Sequence, residues 1–211
     1  MSRKLTLKSG AFLTGSLVTL QTLAAGVPAE PLTDLRGITV GMTPQQLPTT
    51  GYRKMSCLDA PNQTLEAWAD WSSCTARPDG TRGLRLEYYQ PGEDDTKVAG
   101  HPVDLSAFFD KDSRVVRIEI RTVEKTSLFQ RKHAYMLGQQ AKLHYGPEGW
   151  TCKTTPPTAN EEPIADIYVN EACSKEEGDR AIEVTSRFFH KVGGSPRDFV
   201  SDSLVVVNFR P

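Results

Sequence analysis

Four cysteines, Cys57, Cys74, Cys152 and Cys173, constrain this chain of 211 residues more than any other feature. Four cysteines allow three pairings, and sequence alone does not choose among them. The spacing favours two local bridges, Cys57 to Cys74 and Cys152 to Cys173. Each would close a loop of about twenty residues and stabilise the fold by about 3 kcal/mol in the chain-entropy model. A zinc site would want close ligand pairs such as C-x-x-C, which the sequence lacks.

Disulfides persist in oxidising compartments, and the N-terminus supplies a route to one. Arg3, Lys4 and Lys8 precede an apolar run within residues 11–31, which ends in small residues at "VPA". That order is expected of a secretory signal over residues 1–29, with cleavage after Ala29 as the leading reading and a cut within Ala24, Ala25 and Gly26 as the alternative. Thr14, Thr19, Gln21 and Thr22 make the run poorer than a membrane span. The alternative is a retained anchor. Removing residues 1–29 leaves 22 basic residues against 26 acidic ones, a net charge of −4, which gives no electrostatic footprint for nucleic acid. The expected location is periplasmic or secreted, with membrane contact only if the N-terminal segment is kept.

The cysteine spacing also prompts a search for duplication, since Cys57 and Cys152 are 95 positions apart and Cys74 and Cys173 are 99 apart. The same order of elements recurs around each pair, so a first module over 30–123 and a second over 124–211 are expected. Thr43, Pro44 and Gln46 fit an N-cap, a first-turn proline and a capping-box glutamine, and Ser127 with Gln130 repeats the box. Pro48 stops the first helix after about one turn. In the second, Phe129, Met136 and Leu143 form a stripe, broadened by Leu137 and Ala141, that should pack on a sheet. Strands alternate cleanly: Leu84, Leu86 and Tyr88 oppose Arg85, Glu87 and Tyr89, while Val116, Ile118 and Ile120 oppose Arg117, Glu119 and Arg121. Ile182, Val184 and Phe188 oppose Glu183, Thr185 and Arg187, and Val205, Val207 and Phe209 share a face. One apolar and one polar face mark antiparallel sheets wetted on one side. The expected fold class is therefore α+β, with two related modules, each a helix packed on a small antiparallel sheet.

The order of a helical turn opened by "GMTPQQL", an aromatic-cysteine segment and three or four antiparallel strands, present twice, resembles the tandem modules of secreted beta-lactamase-inhibitor-type proteins. The phrase "GITVGMTPQQL" also resembles the opening of small bacterial envelope proteins of the SmpA/OmlA type. Those envelope proteins are usually lipidated through a cysteine after the signal, and this chain has none there. The resemblance implies binding of a protein partner by an open sheet face.

No constellation specifies a reaction. Ser195 in "VGGSPRD" is followed by Pro196 and no helical pattern, so a loop turn is the reading. His101, His133, His144 and His190 are scattered. Asp110 and Asp112 have calcium-loop spacing, but Val115 and Arg121 stand where glycine and glutamate are needed. The acids from Glu93 to Asp95 read as a solvated loop. No catalytic residue, metal ligand or cofactor is expected.

Aromatic residues supply the candidate partner surface. Tyr89 and Phe189 fall on the polar strand faces beside Arg85 and Arg187, a composition typical of binding hot spots. The alternative places each at a strand end under a loop. Trp68 and Trp71 either stack over the first bridge or form an exposed anchor. A non-enzymatic binding or envelope-associated protein is the leading expectation. An accessory subunit of a membrane complex and a periplasmic hydrolase without a recognisable motif are the alternatives.

Overall fold

The computed structural model describes residues 33–88, 92, 95–195 and 197–211. Residues 1–29, expected to be a signal, and Tyr89 lie outside the described residues, as do Glu93 and Asp94. Eleven strands form one antiparallel sheet: β1 (Tyr52–Cys57), β2 (Thr64–Leu65), β3 (Arg82–Tyr88), β4 (Lys97–Val98), β5 (His101–Phe109), β6 (Val115–Thr122), β7 (Thr151–Thr154), β8 (Glu161–Glu162), β9 (Val169–Glu177), β10 (Arg180–Lys191) and β11 (Phe199–Phe209). The order is β2-β1-β3-β5-β6-β11-β10-β9-β7, with β4 paired to β5 and β8 to β10.

The expected pair of helix-plus-sheet modules is thereby corrected. Residues 30–123 and 124–211 do not build separate sheets, because β6 and β11 pair along a seam that sets Ile118 opposite Val207 and Ile120 opposite Val205. Left apart, both would be long strand edges with unpaired backbone groups. Joined, their apolar side chains continue a single buried face. Ser203 N–H donates to Thr122 Oγ1 at 2.9 Å and extends the seam by one residue.

The helices are also unequally shared. The first half contains only 3-10 turns among its described residues, Pro44–Gln46 and Trp68–Ser73. Gln46 Oε1 accepts from the Thr43 N–H at 2.9 Å, as the capping box requires. Leu35, Ile38, Val40 and Leu47 from the turn-rich segment 33–50 cover the sheet there instead. The left-handed Gly41 (φ +90°) folds this segment against β11, where a Cβ would meet the Phe209 ring at 2.8 Å.

The second half carries α1 (Leu128–His133) and α2 (Met136–His144). Ser127 Oγ accepts the Gln130 N–H at 3.3 Å, capping α1 as expected. The helix is then interrupted at Ala134 and Tyr135, although both keep right-handed helical dihedrals. Phe129 is 73% and Leu143 68% exposed, so the Phe129, Met136 and Leu143 stripe does not face the sheet. Leu137, expected to broaden the stripe, is buried, together with Ala134 and Gly138. Gly138 sets the approach, since a Cβ there would lie 1.9 Å from Ser186 Oγ and 3.0 Å from Val184 Cγ1.

Both expected bridges form, Cys57–Cys74 and Cys152–Cys173. Two disulfides of this kind belong to a non-reducing environment.

Candidate functional site

Period-2 alternation gives the sheet two faces. On one, Leu105, Ile118, Ile120, Val205, Val207, Ile182 and Val184 are buried beneath α2, segment 33–50 and the turn at Trp68–Ser73. The other carries no helix among the described residues. Its corners are closed by side chains: Phe108 lies under the guanidinium groups of Arg117 (4.0 Å to the ring centroid) and Arg77 (5.2 Å), and Phe189 stacks on Tyr168 at 5.6 Å.

Between these corners lies an uncovered strip. The strand register aligns Asp104, Arg121, Leu204 and Thr185 in one row, and Arg85, Ser106, Glu119, Val206 and Glu183 in the next. Adjacent strands are about 4.8 Å apart, so the five strands from β3 to β10 span roughly 19 Å between outer axes. Most of the charges are paired. Arg85 Nη2 meets Asp104 Oδ1 at 2.5 Å, Arg117 Nε meets Glu119 Oε1 at 3.3 Å, and Arg187 binds both Asp202 oxygens at 2.9 and 2.6 Å. The Asp202 hydrogen bonds raise the Arg187 pKa further above its ordinary value.

Two charges are not paired. Arg121 and Glu183 are both exposed and make no ion pair among the described residues. They flank Leu204 and Val206, which are partly buried on β11 between β6 and β10. A hollow of about 330 Å³ opens beside Leu204, lined by Asp104, Arg121, Lys125, Arg187 and Asp202.

The residues expected to bind a partner divide accordingly. Arg85 and Arg187 stand on the uncovered face, engaged with Asp104 and Asp202. Phe189 is only 5% exposed, because Tyr168 covers it, and its expected exposure is corrected. Trp68 and Trp71 are buried as well: Trp68 Nε1–H donates to Pro48 O at 2.8 Å, and Trp71 stacks on Phe109 at 5.3 Å. They form a small core beside the Cys57–Cys74 bridge. Sequence reasoning missed Leu204 and Val206, although "LVVVNF" holds four consecutive apolar residues and so places apolar groups on both faces.

The remaining polar groups are structural. Asp34 Oδ2 accepts the Val40 N–H at 2.8 Å, while Oδ1 lies 3.4 Å from Arg180 Nε. Burial pushes the Asp34 carboxyl up from its ordinary value, and the Val40 bond and Arg180 oppose that shift. The Tyr145 hydroxyl, also pushed up by burial, donates to Asp34 O at 3.3 Å. This cluster ties segment 33–40 to α2 and β10. His133 Nδ1 contacts Phe129 O at 2.8 Å and His144 Nε2 contacts Thr33 O at 2.9 Å. Cys152, Glu171 and Cys173 form a compact group, but both sulfurs are spent in a disulfide rather than held as thiolates for a metal. No described helix is long and apolar enough to cross a membrane.

No protein-family model, curated protein or solved structure matches the chain.

Proposed function

We propose that this chain is an exported, disulfide-stabilised, non-enzymatic protein of the periplasm or the extracellular space that docks a protein partner on its uncovered sheet face. The observation that carries this reading is the Leu204 and Val206 pair, set on β11 between unpaired Arg121 on β6 and Glu183 on β10. Interfaces concentrate affinity in a small desolvated apolar centre, with a polar rim that sets orientation. A partner segment bearing an apolar side chain would cover Leu204 and Val206, with a carboxylate against Arg121 and a basic group against Glu183. The paired charges around this centre, Arg85 with Asp104 and Arg187 with Asp202, would form the rim.

Affinity purification of the tagged full-length chain from a cross-linked envelope fraction tests the reading. Leu204→Asp and the surface variant Arg121→Glu should each reduce partner recovery about thirtyfold, the effect of losing a hot-spot contact. Circular dichroism and both bridges should remain as in the wild type. Undiminished recovery with both variants would contradict the proposal.

A further inference from the structure

The two bridges differ in their surroundings. Cys57 is 0% and Cys74 1% exposed, so an external thiolate reaches neither sulfur in the folded chain. Cys152 is exposed on β7, a strand at the end of the sheet, and it faces Cys173 directly across the antiparallel pair with β9. Cys173 is buried beside α2. There the Lys142 ammonium sits 3.7 Å from its Sγ and also pairs with Glu171. Cys152 is therefore the exposed member of the bridge, while Cys173 has the Lys142 ammonium beside its sulfur and the Glu171 carboxylate lies within 4.8 Å of both sulfurs.

We propose that the Cys152–Cys173 bridge is a thiol–disulfide exchange site whose co-reactant is an exported dithiol reductant. A thiolate of the reductant attacks Cys152 Sγ, forming a mixed disulfide and breaking the Cys152–Cys173 bond. The electron pair leaves on Cys173, whose thiolate is stabilised by the Lys142 ammonium; a nearby cation lowers a thiol's pKa, and a lower-pKa thiol leaves faster. The second thiolate of the reductant then attacks its own sulfur in the mixed disulfide and releases Cys152 as a thiolate. The two cysteine thiolates take protons as solution pH dictates. Two electrons pass to the bridge, and the dithiol becomes a disulfide. The enclosed Cys57–Cys74 bridge is untouched. Reduction also removes the covalent tether on β7, whose ladder partner is β9.

Dithiothreitol serves as the probe, with the folded full-length chain, timed alkylation and peptide mapping. Cys152–Cys173 should open at least about 100-fold faster than Cys57–Cys74, before far-UV circular dichroism changes, because exchange requires access to a sulfur. Lys142→Met should slow that opening about tenfold through loss of the cation, and Lys142→Arg should restore most of it. In the singly reduced wild type, the pH dependence of iodoacetamide alkylation should place the Cys173 thiol below the ordinary value of about 8.5. Opening of both bridges together at the rate of global unfolding would overturn the assignment. So would a Cys173 thiol that titrates at or above the ordinary value. The wild-type measurements decide the matter even if Lys142→Met fails to fold.

Discussion

The two faces of this sheet come from the same strands and the same alternation, yet they differ in what lies against them. On β11, Val205 and Val207 are 1% and 0% exposed, while their neighbours Leu204 and Val206 stay partly open. On β6, Ile118 is fully buried, while the neighbouring Arg117 and Glu119 pair with each other on the opposite side. Aliphatic side chains on the covered face contribute to stability, because α2 and segment 33–50 remove them from water. The same kind of side chain on the uncovered face stays partly open to water and so should contribute less to folding. Side-chain type alone therefore does not separate the two roles; the covering elements do.

The sharpest way to break that contrast is to truncate one residue on each side of the seam. Ile118→Ala should destabilise the chain by about 3 kcal/mol in urea unfolding, because a fully packed site leaves a cavity. Val206→Ala should cost less than about 1 kcal/mol in the same measurement. Equal losses would mean that both faces are core.

A smaller effect sharpens the description of the covered face. His101 is buried at the start of β5, and desolvation pushes its pKa below the ordinary 6.5, with the nearby Gln140 side chain opposing the shift. The unfolded chain takes up a proton that the folded chain resists. Stability is therefore fully present above pH 6.5 and is lost as pH falls through the window between 6.5 and the lower folded-state value. Urea unfolding from pH 7.5 to 5 should show this loss, and His101→Gln should flatten the profile by less than one proton's worth. An unchanged slope would place His101 in water.

Much of this arrangement was legible in the sequence because it depends on near neighbours. Alternation in "RGLRLEY" and "AIEVTSRFF" marked the strands, and cysteine separations of 17 and 21 favoured the two bridges that form. Distant relationships were not legible. The pairing of Ile118 with Val207 joins residues in opposite halves of the chain, and alternation states which side chains share a face without stating which strands meet. Two modules were expected where a single sheet stands for that reason. The break at Ala134 and Tyr135 carries neither proline nor glycine; Tyr135 stacks on Phe188 at 4.5 Å, a tertiary contact that helical periodicity does not encode. Phe189 falls on the polar face as the alternation has it, but its cover, Tyr168, comes from the segment that leads into β9.

The uncovered face as a docking surface is tested most directly by photo-cross-linking in the cell envelope. A photoreactive side chain replaces Val206 in one variant and Phe129, exposed on α1, in another. The account predicts a discrete protein adduct from position 206, abolished by Arg121→Glu, and none from position 129. An adduct from 129 with none from 206 would contradict it.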